Sequence, residues 1–393
     1  MKTVTLYSKG IDRVLRGHPW IYRSQIKGMS PGIQPGDAVF VISDRKKKIG
    51  TGFINPKSEI TLRLLTHHEE SIDLPFFKKR IEDAISWRKR HIEGTNAIRW
   101  INSESDQLPG LILDEYAGHF VLQISTLALE LQKPLLIQLI KDLFSPKSLY
   151  ERNDFPSRQW EGLPLLQGTL QGETPPLVEI EENKIRFWVN ISQGHKTGFY
   201  LDQRENRKAL RGYTKGKEVL DCFSYTGGFA VASLVQEAKS VLAFEISEEA
   251  LALGQENAKL NGVQDRWQGQ LGNAFDLLKS SSLEDKKFDL IILDPPSFTK
   301  SKAHLERALR GYKEINLRAL KMLREGGILV SACCSHHVDE KTFQQTILNA
   351  AQDAHRMLYQ INQGTQAIDH PIVLSIPETK YLKCFFFEVF SSS

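Results

Sequence analysis

An acid, a glycine pair and two cysteines, each standing where a short apolar run ends, are the residues of this sequence that could do chemistry. The first run, Val219 to Cys222, stops at F-S-Y-T-G-G, and Phe229 to Gln236 then resumes with helical spacing, so the segment reads strand, glycine turn, helix. Gly227 and Gly228 stand where a ligand approaches backbone: the turn needs unusual backbone angles and no Cβ between chain and ligand, and the helix N-terminus behind it favours a carboxylate. The next run, Val241 to Glu245, ends in an acid 24 positions beyond Asp221, near the ~20-residue offset at which an acid meets a ribose diol in doubly wound nucleotide folds. A third, Phe288 to Leu293, closes on Asp294-Pro295-Pro296 and has the unbroken apolar character of a strand buried on both faces of a parallel sheet. Two prolines hold that loop extended and remove two backbone donors, leaving an acid and carbonyls in a stiff array that can grip the polar edge of a base.

A pyrophosphate-holding fingerprint would be G-x-G-x-x-G, whereas this turn offers one adjacent glycine pair, which suits a cofactor without phosphates, S-adenosylmethionine. Taken singly, Gly227-Gly228 is also what a tight connection in another α/β protein needs, and D-P-P what a structural cap needs. Their order in one chain, with Glu245 between them, is the specific feature. Gly327 to Cys334 reads as one more strand, followed by Ser335, His336 and His337. Adjacent strand residues point to opposite faces, so one of Cys333 and Cys334 faces the cleft as a reactive thiol, unless both are small apolar core residues. The set lacks the spaced C-x-x-C or H-x-x-x-H of a zinc site, and no metal is expected. Ahead of the glycine turn, Gln193 to Arg204 packs cations, aromatics and acids into twelve residues. Such a segment either folds over the cofactor, Lys196 or Arg204 meeting its carboxylate and Phe199 or Tyr200 forming an apolar wall, or is an irregular interdomain stretch with surface charges.

The elements that must position these residues fit in 393 residues, enough for two or three domains, with 41% hydrophobic and 25% charged side chains. No stretch reads as a membrane span or signal peptide, and four cysteines without repeating spacing give no disulfide framework, so the cytoplasm is the expected compartment. Residues 1–70 hold twelve Lys or Arg against six Asp or Glu, while the whole chain is only +4. Candidate strands Asp37 to Ser43, Gly50 to Ile54 and Ile60 to Leu65 surround Arg45-Lys46-Lys47-Lys48, a basic hairpin suited to a phosphate backbone or simply to water. From residue 72 follow an amphipathic stretch (Leu74 to Ile92), strands at Leu111 to Leu113 and Phe120 to Ile124, a helix from Leu127 to Leu143, and further strands to about Ile191. Three domains result: a β-barrel at 1–71, a small α+β domain at 72–191 and a Rossmann-like α/β domain at 192–393.

The chain resembles the bacterial RlmI-type 23S ribosomal RNA cytosine-5 methyltransferases along nearly its whole length. The likeness rests on R-G-H-P-W-I-Y (Arg16 to Tyr22), S-D-Q-L-P-G (Ser105 to Gly110), G-H-K-T-G-F-Y-L-D-Q-R (Gly194 to Arg204), C-F-S-Y-T-G-G-F (Cys222 to Phe229), D-P-P-S-F, and R-G-Y-K-E-I-N (Arg310 to Asn316). It implies an N-terminal PUA domain that binds RNA, a class I methyltransferase domain, large-subunit ribosomal RNA or its precursor as partner, and room for a homodimer. It implies cofactor contacts from Lys196, Thr197, Phe199 and Tyr200, from Asp202 and Arg204, from Asp221, Phe223, Thr226, Gly227 and Gly228, and from Glu245, Asn273 and Asp294. Cys334 matches the cysteine of the family's S-C-S strand end. That agrees with what cytosine needs: a thiolate adds to C6 so that C5 becomes nucleophilic, and Asp294 near N3 stabilises the developing charge.

Three departures stand out: Asn273 replaces an acid at the end of the third strand, A-C-C-S replaces S-C-S, and Ser297 stands where many RNA cytosine-5 methyltransferases carry a second cysteine. Two other readings stay open. Ser297, Thr299, Ser301 and Lys302 also fit the loop of enzymes that make 7-methylguanosine, and a non-catalytic RNA-binding assembly factor would keep the same fold.

Overall fold

A computed structural model describes residues 2–9, 11–280, 286–299 and 302–392. The chain divides into two compact units: Met1–Ile180 with Val189–Leu201 and Ile368–Thr379, and Glu181–Trp188 with Asp202–Ala367 and Lys380–Ser393.

The first unit holds two sheets. Six strands run in the order Trp20–Ile21, Leu62–Thr66, Lys48–Ile54, Ala38–Ser43, Thr3–Leu6 and Ile26–Met29. They enclose Val4, Leu6, Val39, Val41, Ile54 and Leu62. The basic run makes the tip of the hairpin between Ser43 and Lys48: Lys46 turns at φ 60, Ser43 Oγ accepts from Lys47 N at 3.1 Å, and the cations are exposed. Lys48 pairs with Glu69 at 2.7 Å.

The expected amphipathic helix is Leu74–His91, started by Asp73, whose carboxylate accepts from Phe76 N at 3.2 Å. Phe76, Phe77, Ile81 and Ala84 are its buried apolar residues, and the first three join the core of a five-stranded sheet ordered Leu166–Gly172, Ser148–Asn153, His119–Ile124, Leu111–Tyr116 and Ala97–Asn102. The helix expected from Leu127 to Leu143 is two helices, Leu127–Leu131 and Lys133–Phe144. Pro134 has no N–H to give and its ring excludes the preceding turn, so it begins a helix and cannot continue one.

A buried ionic frame explains two of the motifs. Arg88 grips Asp106 of S-D-Q-L-P-G with both terminal nitrogens and donates to Asp369 O at 3.0 Å. Arg99 holds Asp114 through two bonds of 2.7 Å, and Asp114 accepts from Thr197 Oγ1 of H-K-T-G at 2.6 Å.

The second unit is built on seven strands: β1 (Glu218–Cys222), β2 (Ser240–Glu245), β3 (Trp267–Leu271), β4 (Phe288–Leu293), β5 (Leu323–Cys333), β6 (Arg356–Gly364) and β7 (Lys383–Ser391). Their order is β3-β2-β1-β4-β5-β7-β6, with β1 to β5 parallel and β7 antiparallel to both its neighbours. The central strands β1, β2, β4 and β5 are buried on both faces over most of their length, as a sheet covered on both sides requires, whereas the edge strands β3 and β6 are largely exposed. One face packs on the helices Leu305–Met322 and Glu340–Asp353 through Tyr312, Ile315, Phe343 and Ile347. The registers Asp221↔Ala243, Asp221↔Ile292 and Leu293↔Ser331 bring the carboxyl ends of β1, β2, β4 and β5 to one edge.

Candidate active site

At that edge the turn after β1 is held by alternating backbone conformations: Phe223 (φ 65), Tyr225 (φ 51) and Gly227 (φ 80) are all left-handed. Non-glycine residues rarely adopt this geometry, and here it is fixed from both sides. Ser224 N donates to Phe244 O at 2.9 Å, and Tyr225 N donates to Glu245 Oε2 at 2.7 Å. Gly227 is required for a reason the sequence did not disclose. A Cβ there would meet the Trp267 ring at 2.9 Å, so the glycine makes room for a core indole. Gly228 is the first residue of the helix Gly228–Val235.

Three carboxyl groups converge on the turn. Asp221 is fully buried and accepts from Ser224 Oγ at 2.7 Å. Burial, with the neighbouring charges of Asp294 and Glu245, raises its pKa to about 7. Glu245 accepts from the backbone N–H groups of Tyr225, Ile246 (2.9 Å) and Ser247 (3.0 Å), and a carboxylate with about four lone-pair sites keeps capacity for a ligand hydroxyl. Asp294 accepts from Gln203 Nε2 at 2.9 Å. Gln203 was passed over in the D-Q-R motif; its signal is a fully buried amide, which accepts from Asn206 at 2.6 Å while Asn206 also donates to Thr365 O at 3.2 Å. Asp294 is thereby aimed by a three-residue chain of amides.

Other expected contacts have different surroundings. Asn273 caps the helix Ala274–Leu277, its Oδ1 accepting from Phe275 N at 2.9 Å, so the acceptor expected to meet an adenine amino group is engaged in a helix start. Asp202 is buried and accepts from Tyr381 at 2.8 Å; Arg204 is buried, with Nε 3.4 Å from Glu205. Lys196, Thr197, Phe199 and Tyr200 belong to the first unit. There the Thr197 hydroxyl is fully buried between Asp114 and Tyr116, Phe199 is buried, and the Lys196 ammonium lies 4.3 Å from the centre of the Tyr200 ring.

The two cysteines separate cleanly. Cys333, the last residue of β5, is 0% exposed in the apolar core, whereas Cys334 lies just past the strand, half-buried, with Sγ 3.8 Å from Pro295 O of the D-P-P loop. Ser335 knits the two loops: its hydroxyl lies 2.9 Å from both Ser297 Oγ and Tyr312 OH. Ser297 Oγ also donates to Thr299 O at 2.7 Å. Ser301 lies outside the described residues, and so does the side chain of Lys302. Among the described residues no cluster of three His, Cys, Asp or Glu is arranged to hold a metal, and no helix is long and apolar enough to cross a membrane.

Residues 167–364 match the family model of S-adenosylmethionine-dependent methyltransferases, and residues 4–67 match a PUA-like domain. The chain is 39% identical to the ribosomal RNA large subunit methyltransferases I of Yersinia pseudotuberculosis and Yersinia pestis over 97% of its own length and 98% of theirs. The chain belongs to this methyltransferase family. A protein of known structure from Streptococcus mutans shares its fold at a TM-score of 0.84 and 22% identity, covering 99% of this chain and 100% of that one. The cofactor of this methyltransferase is S-adenosylmethionine, and the cleft suits it. Three converging carboxyls complement a sulfonium and an ammonium, and the glycine turn holds a buried Thr226 hydroxyl that has no hydrogen-bond partner among the described residues.

Proposed function

We propose that the protein methylates C5 of a cytosine in large-subunit ribosomal RNA through a covalent adduct with Cys334. The observation that carries this reading is the contrast at the end of β5: one thiol is sealed in the core, and the next is half-buried beside the D-P-P carbonyl. The substrate class follows the relatives' activity, and the division of the chain near residues 71 and 191 into RNA-binding, middle and catalytic domains belongs to the same reading.

Cys334 loses its proton, and its sulfur bonds to C6 of the base, giving C5 carbanion character. Asp294, aimed by Gln203, meets the N3 edge as the carboxylic acid, passes its proton to N3 as negative charge develops there, and takes it back when the thiolate leaves. S-adenosylmethionine, when bound, supplies an electrophilic methyl group and departs as S-adenosylhomocysteine. A base then takes the C5 proton, the C6–S bond breaks, and the thiolate is regenerated. Of the hydroxyls that recommended a guanine-methylating loop, that of Ser297 braces this loop: Ser297 Oγ bonds Thr299 O and Ser335.

Nucleoside mass spectrometry of unmodified large-subunit ribosomal RNA, incubated with S-adenosylmethionine and either wild type or Cys334→Ala, tests the proposal. The expected product is 5-methylcytidine from the wild type alone. A methylguanosine made equally by both proteins would overturn it.

A further inference from the structure

We propose that Lys383 is the positioning residue of the Cys334 loop and the cation that stabilises its thiolate. The inference rests on Cys334 being the nucleophile. Lys383 opens β7 and stands opposite Cys333 in the antiparallel register with β5. It is 5% exposed, and its ammonium donates to Ser335 O at 2.9 Å and Val338 O at 2.7 Å, the carbonyls of the segment that leaves Cys334. With the Ser335 hydroxyl bonded to Tyr312 and Ser297, the residue after the cysteine is pinned at both its carbonyl and its side chain.

A clamp on two carbonyls does not require a buried charge. Neutral acceptors satisfy the ammonium's hydrogens but leave its charge uncompensated in a poorly solvated site. The charged and titratable groups that act on it include the Cys333 and Cys334 thiols, Asp339, Glu340 and Lys380. Asp339 caps the following helix, accepting from Thr342 N at 2.8 Å, and Lys380 pairs with Glu340 at 2.6 Å. Cys333 is fully buried in the apolar core beside the Tyr312 hydroxyl. Cys334 is the thiol with solvent access, so its anion is the charge that Lys383 complements. Burial lowers the Lys383 pKa and the thiols raise it, as expected of a lysine and a cysteine that share a low-dielectric corner.

The test is the pH profile of iodoacetamide alkylation of Cys334, followed by peptide mass spectrometry. Cys222, Cys333 and Cys384 are buried and do not compete. In the wild type the midpoint should lie below the ordinary thiol value of about 8.5. Lys383→Met should raise it by about one unit, slowing alkylation at pH 7 about tenfold, with S-adenosylhomocysteine affinity held within about threefold. Lys383→Arg should keep the low midpoint. A wild-type midpoint at or above the ordinary value overturns the proposal even if the Met variant fails to fold, and so does an unchanged midpoint in a folded Met variant. Alkylation is read without methyl transfer, so a failure of the cytosine reading would appear separately, as methylation indifferent to Cys334→Ala.

Discussion

Replacing Asp221 by Asn would remove the charge that the cleft tolerates least. Asp221 is fully buried, and its pKa stands at about 7 against an ordinary 3.8 because burial disfavours the anion and Asp294 and Glu245 repel it. The fold therefore binds this proton more tightly than the unfolded chain does. The stability associated with it is fully present below pH 3.8 and is lost progressively as pH rises to about 7, reaching a deficit on the order of 4 kcal/mol above that. Asparagine keeps an acceptor for Ser224 Oγ but gives up the backbone bond from Ala230, a loss of about 1 kcal/mol.

The net expectation is that Asp221→Asn stabilises the apo protein at pH 8 by about 3 kcal/mol and that the gain shrinks steadily toward pH 4. Thermal melts of both proteins across pH 4 to 8 measure this directly. In the same variant S-adenosylmethionine, cationic at sulfur, should lose more affinity than S-adenosylhomocysteine, because one of the three acids gathered at the glycine turn is gone. A variant no more stable than wild type at pH 8, or a gain that does not change with pH, would refute the picture of repelling carboxyls.

Gln203→Leu should lower the rate of methyl transfer by about ten- to a hundredfold, the worth of one hydrogen bond to an ionised group, while cofactor affinity measured by calorimetry changes little. Equal loss of affinity and rate would mean that the amide supports the whole pocket and not the aim of Asp294. Gly227→Ala places a Cβ 2.9 Å from the Trp267 ring at φ 80, and unfolding experiments should show a loss of about 2–4 kcal/mol from backbone strain and overpacking together.

Local pattern determined much of this protein. Each of the runs Val219 to Cys222, Val241 to Glu245 and Phe288 to Leu293 is a strand because largely apolar residues between turn formers can satisfy backbone and side chains only inside a covered sheet, and the acids at or near their carboxyl ends, Asp221, Glu245 and Asp294, gather at one edge. The amphipathic run Leu74 to Ile92 likewise announced its helix, though the break at Gln132 within Leu127 to Leu143 was missed because apolar periodicity runs straight across a proline.

What sequence could not supply were partnerships across long separations. That Gly227 exists to admit Trp267, that Thr197 is locked onto Asp114, that Gln203 aims Asp294, and that Lys383 reaches the carbonyls after Cys334 all depend on which strands become neighbours. The same holds for the two cysteines. Alternation said that one of them faces the cleft; only the packing of β5 against β7 and the helix carrying Tyr312 decided that Cys333 fills the core and Cys334 does not, because the two faces of a strand are equivalent until something is packed against one of them.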